Sequence, residues 1–161
     1  MTNRLSPTVV DPESVARRTG SSYPKQFQEQ MENRFKRALG DPVGLTHFGV
    51  NLVELGPGAW SAQRHWHSHE DEFVYVVSGE LTLVTDAGRQ VLGPGMAAGF
   101  PAGAADGHHL VNAGETTAVY LEVGDRSDDD EVIYPDIDML LSPASGGRVF
   151  CHKDGRPYDP D

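Results

Sequence analysis

Five of the seven histidines fall in two short stretches, His65-Trp66-His67-Ser68-His69 and His108-His109. On an extended strand, side chains two apart share a face, so His65 and His67 can aim their imidazoles at one point while Trp66 faces the other way. The chain then turns through Ser68 to Asp71 and re-enters an apolar run at Glu72, whose face is continued by Val74 and Val76. An ionised carboxylate among apolar neighbours is costly unless it has a partner, and a divalent cation is a direct one. Two imidazoles and a carboxylate suit a divalent transition metal, Fe, Mn, Ni, Co, Cu or Zn, and the ligand types do not separate these ions. A third imidazole would complete the set. His108 and His109 are adjacent on an expected strand and point to opposite sides, so only one should reach the metal. Glu72 is a candidate proton acceptor, and His69, in the connecting loop, is a candidate proton donor.

These side chains need strands to hold them. After Gly44 the sequence changes to short runs rich in Val, Leu, Thr, Phe and Tyr separated by glycine or proline, the rhythm of an all-β domain. Strands are expected over Leu45 to Leu55, Ser61 to Trp66, Glu72 to Val77, Glu80 to Thr85, Gln90 to Leu92, Ala97 to Phe100, His108 to Asn112 and Thr117 to Val123, with one more possible at Glu131 to Tyr134. Ser78-Gly79 and Asp86-Ala87-Gly88 supply tight hairpins, and Gly93-Pro94-Gly95 breaks any strand. A sheet closed on itself would enclose an interior for a small-molecule ligand. Phe73, Tyr75 and Val77, opposite the ligand face, are expected to pack under outer elements, and Trp60 and Trp66 are read as packing residues.

Residues 1–44 read as a polar arm followed by one outer amphipathic helix, with Pro24 at its start, Phe27, Met31, Phe35, Ala38 and Leu39 on its apolar face, and Gly40 as its stop. Residues 45–124 form the barrel, and 125–161 a C-terminal extension packed on it. Within the extension, the acidic run Asp125 to Glu131 reads as a solvated loop, and Phe150 to Asp161 as polar and turn-like. The formal charge of −11, with no strong Lys/Arg cluster, argues against nucleic acid and anionic membrane surfaces as partners. A lone cysteine, Cys151, and the lack of an apolar leader point to a reducing, cytoplasmic setting. No apolar run approaches the roughly 18 residues of a membrane helix.

Residues 65–79 resemble the first motif of the cupin superfamily, H-x-H, four residues, E, six residues, G, which aligns His65, His67, Glu72 and Gly79. The upstream glycine of that motif departs from the pattern, since six residues rather than five separate Gly58 from His65. Residues 95–112 resemble the second motif: Gly95, Pro101 and Gly103 match in register, and a two-residue insertion, needed because Asp106 stands at the nominal histidine, restores the ending as His108 and Asn112. The resemblance implies a double-stranded β-helix of jelly-roll type, often a homodimer, with His108 rather than His109 as fourth metal ligand. The flanks resemble those of small stand-alone bacterial cupins without an assigned reaction, some of which carry a sugar-phosphate isomerase label by analogy. Two functional classes follow. One is a metal-dependent enzyme on a small oxygenated metabolite, an oxygenase with iron or an isomerase or lyase with a redox-neutral ion; the other is a non-catalytic metabolite-binding or sensor cupin.

Overall fold

Thirteen strands, joined by tight turns and short 3-10 segments, are the main regular elements of the computed structural model, which describes residues 8–159. In chain order they are β1 (Arg18–Thr19), β2 (Arg34–Ala38), β3 (Phe48–Leu55), β4 (Trp66–His67), β5 (Glu72–Ser78), β6 (Leu81–Thr85) and β7 (Gly88–Leu92). They continue as β8 (Ala97–Phe100), β9 (His109–Val111), β10 (Ala118–Asp125), β11 (Val132–Tyr134), β12 (Met139–Ala144) and β13 (Gly147–Cys151). Six form one sheet in the order β1-β2-β3-β10-β5-β8; a second runs β7-β6-β9, and a third β13-β12-β11-β4. Every pairing among the described strands is antiparallel. Among the described residues no helix is long and apolar enough to cross a membrane.

Strand alternation builds the core. On β5, Val74 and Val76 are buried, and they meet Val53, Leu55 and Tyr120 from the same sheet and Leu81, Leu83, Leu92 and Leu110 from the three-stranded sheet facing it. This closed, all-β arrangement is the double-stranded β-helix. Gly79 makes the β5–β6 reversal possible in two ways. Its φ is +74°, and a Cβ there would lie 2.8 Å from the Ala118 Cα, closer than such atoms approach.

Asn112, 1% exposed, ties the interior end of the barrel together. Its amide donates to the carbonyls of Leu55 (2.7 Å) and Thr116 (2.8 Å), and its oxygen accepts from the Gly114 N–H.

Several expectations are corrected. The outer helix is replaced by two 3-10 turns, Lys25–Phe27 and Glu29–Met31, followed by β2. Spacing of Phe27 and Met31 suits a helix, but residues 34–38 gain more by donating and accepting along the open edge of β3, and Arg37 on that strand reaches Glu13, Glu54 and the Pro12 carbonyl. Phe73, Tyr75 and Val77 lie 41–46% exposed on the outer face of β5, with no element among the described residues over them. Phe150 and Cys151 complete β13 rather than beginning a turn, because β12 and β13 form a hairpin through Gly146 and Gly147 that covers Tyr23 and Met31 in a second apolar cluster. The expected strand from Ser61 to Trp66 is reduced to bridges at Trp60 and His65 and the two residues of β4. Of the polar arm over 1–21, residues 1–7 lie outside the described residues, and Arg18–Thr19 adds β1 to the edge of β2.

Candidate metal centre

His65 and His108 face each other across an isolated antiparallel bridge, each N–H donating to the other's carbonyl at 3.2 and 2.8 Å. His67 follows on β4, and Glu72 opens β5, in register with Phe100 on one side and Gly124 on the other. The bridge and the two strand starts bring four side chains to one place. Glu72 Oε2 lies 2.6 Å from His108 Nε2, 3.4 Å from His65 Nε2 and 3.5 Å from His67 Nε2. One ligand atom each from His65, His67 and Glu72 lies within 4.8 Å of the others.

The outer sides of the rings decide what the inner sides present. His65 Nδ1 is 2.8 Å from the Gln63 carbonyl, which can only accept, so that nitrogen carries the proton. His67 Nδ1 is 2.7 Å from Asp130 Oδ2 and donates likewise. A neutral ring in either position then aims a bare Nε2 lone pair at a carboxylate oxygen. Positive charge between them, a proton or a cation, is what reconciles the arrangement. At His67 a proton does this in the chain alone: burial by itself would lower its pKa, but Glu72 and Asp130 outweigh burial and push it up to about 9. Burial would raise the Glu72 carboxyl, yet hydrogen bonds with His108, His65 and His67 hold it well below the usual range. Burial pulls His108 below the ordinary imidazole value, against the pull of Glu72. The donor set, three imidazoles and one carboxylate, fits a divalent transition ion in place of that proton.

Sequence reasoning missed the support behind His67. Asp130 sits in the acidic run read as a solvated loop, yet it is fully buried. Besides His67, it accepts from the His69 N–H at 2.9 Å, and Arg148 Nη1 on β13 lies 3.5 Å from it. Arg148 also pairs with Glu70, whose Oε1 accepts from the Ser127 N–H at 2.9 Å. The carboxylates of Glu70 and Asp130 therefore share an arginine. No local signal marks Asp130, because the residue it serves is 63 positions away.

His109 turns away from Glu72, with Nδ1 3.0 Å from the Ala62 carbonyl and its ring edge-on to Trp60 at 4.6 Å. The structure therefore brings His108 to Glu72 and leaves His109 in the packing behind it. His69 is not brought into the cluster: it is exposed and bonded to the Ser68 hydroxyl. Phe100 stacks flat on the His108 ring at 3.6 Å between centroids. Trp66, read as packing, lines an outer cavity of about 90 Å³ together with His67, Phe100 and His108. On the barrel side, a smaller cavity of about 30 Å³ touches His65, Glu72, His108 and Tyr120.

A family model described as Cupin domain matches residues 51–124. No curated protein matches the chain. Among solved structures it is similar to a protein of Silicibacter pomeroyi named a sugar phosphate isomerase from the cupin superfamily, with 44% identity, a TM-score of 0.90, and coverage of 95% of this chain and 98% of that one. A protein of Acidithiobacillus ferrooxidans provisionally named for the same activity is 35% identical, with a TM-score of 0.71 over 80% of this chain and 81% of the other. A polyketide cyclase of Streptomyces resistomycificus is 25% identical, with a TM-score of 0.57 over 73% of this chain and 78% of that one. With the barrel, both motifs and a relative that matches along nearly its whole length, the chain belongs to the cupin superfamily.

Proposed function

We propose that the chain is a metal-dependent cupin that holds one divalent transition ion through His65, His67, Glu72 and His108 and acts on a small oxygenated molecule beside it. The observation that carries this reading is the convergence of three Nε2 atoms on Glu72 Oε2 while two of the rings have their Nδ1 protons committed elsewhere. Such an ion supplies Lewis acidity, polarising a carbonyl or hydroxyl oxygen of the ligand.

The chain's own groups do the rest. Gln63 and Asp130 hold the tautomers of His65 and His67, so those rings need not reorient on loading. Phe100 holds the plane of the His108 ring. Glu72, in contact with the inner cavity, is the candidate proton acceptor for a bound ligand, a role that requires it to release the ion. Trp66, Phe100 and Pro101 give the outer cavity an apolar wall that keeps water away from a bound ligand.

The test is elemental analysis of protein purified without added metal, beside a His65→Ala, His67→Ala double variant. The wild type is expected to carry about one ion per chain and the variant to lose it while keeping its strand-rich circular dichroism. A metal-free wild type, or a folded variant that retains its ion, would end the proposal.

A further inference from the structure

Two buried polar atoms in the described structure have no hydrogen-bond partner, the hydroxyl of Tyr120 and Nδ1 of His108. Both residues line the inner cavity. Leaving a buried hydroxyl unpaired is costly, so a native protein keeps such a group where something else satisfies it. Tyr120 is 1% exposed, and burial, reinforced by the nearby carboxylates of Glu122 and Glu72, holds its phenol well above the usual range. It therefore stays protonated and able to donate. Ser61, which shares the cavity, is the weakest of the influences on that phenol: its hydroxyl accepts from the Leu110 N–H and makes no well-formed hydrogen bond with Tyr120. The cavity's volume of about 30 Å³ admits one or two groups the size of a water.

Charge sets the second limit. Neither cavity is lined by a lysine or arginine among the described residues, while the inner one carries Glu72 and Glu122 and the outer one Asp106. The nearby basic groups are committed: Arg34 to the carbonyls of Ser61 and Gly20, Lys36 to Glu122, Arg64 to Asp86 and Asp136, and Arg148 to Glu70 and Asp130. A divalent ion in the centre would balance Glu72 and Asp106, and no side-chain cation lines either cavity to meet a phosphate dianion. Phosphate recognition ordinarily uses arginine, lysine or a helix N-terminus, and neither cavity offers one.

We infer that the ligand of this centre is an uncharged, phosphate-free hydroxycarbonyl compound or polyol of a few carbons, with one oxygen hydrogen-bonded by the Tyr120 hydroxyl in the inner cavity and the remainder resting on the apolar wall formed by Trp66 and Phe100. This rests on the metal reading of the site and adds the class of ligand. It separates this chain's chemistry from the sugar phosphates for which its relatives are named. Tyr120 is then a residue that contacts the ligand.

Matched probes test it: glycolaldehyde and dihydroxyacetone against their phosphate esters, titrated calorimetrically into protein whose metal content has first been measured. The neutral probes are expected to bind at least about tenfold more tightly than their esters. Tyr120→Phe should weaken the neutral probes about tenfold while leaving metal content unchanged and the melting temperature close to that of the wild type. Esters that bind as well as the neutral probes, neutral probes that do not bind, or a Tyr120→Phe protein that binds them normally would each overturn the inference. Absence of metal would overturn the underlying reading as well, which distinguishes the two failures. The comparison of probes on the wild type stands without any variant.

Discussion

The three imidazoles that meet Glu72 are held in two different ways. His65 and His67 are tethered at their far nitrogens, to a backbone carbonyl and to a buried aspartate, so tautomer and ring plane are set by hydrogen bonds. His108 has no partner at Nδ1 and is placed by its backbone bridge, by Glu72 and by a stacked phenyl ring. Hydrogen bonds fix a direction and a protonation pattern, whereas stacking fixes a plane and leaves the nitrogen open. The barrel thus has a rigidly tethered pair of imidazoles on one side and, on the other, a ring whose second nitrogen is unpaired.

That contrast breaks most readily at Asp130. Asp130→Asn keeps the shape but removes the anionic acceptor behind His67, and metal affinity, measured by competition with a chromophoric chelator, is expected to fall about 10- to 100-fold. An affinity equal to wild type would mean that the tether is structural only. Phe100→Leu probes the other side. It should cost about two- to fivefold in metal affinity, because stacking on the order of 1 kcal/mol is lost while no ligand atom is disturbed. A larger loss than that of Asp130→Asn would reverse the comparison.

The smallest effect concerns the brace between the two sides. Arg64, next to His65, donates to the carbonyl of Gly107, next to His108, at 3.1 Å and forks onto Asp136 with two contacts of 2.7 Å. The Arg64 guanidinium holds the Asp136 carboxyl below its ordinary value. A carboxylate whose folded pKa is depressed contributes stability that is complete above its unfolded pKa and fades as pH falls through the folded one. Asp136 is largely exposed, so the contribution is less than about 1 kcal/mol. In urea titrations the wild type should therefore exceed Asp136→Asn by that small margin at pH 6, and the margin should shrink toward pH 3. A gap that widens on acidification would show that the fork does not stabilise the fold.

What sequence alone determines here is local and periodic. Alternation at spacing two puts His65 beside His67 and sets Glu72 on the buried face of its strand, because a pleated strand turns each successive side chain through half a circle whatever it packs against. The glycine-rich joints and the two motifs extend this to the barrel itself. Tertiary structure decides the remainder. Residues 34–38 are a strand because the edge of β3 lies open to them, a long-range pairing that the apolar spacing of Phe27, Met31 and Phe35 does not reveal. Asp130 is buried rather than solvated because β11 pairs with β4 and β13 delivers Arg148. The cost of burying a carboxylate is met by partners from distant parts of the chain, so neither its place nor its role can be read from its neighbours in sequence.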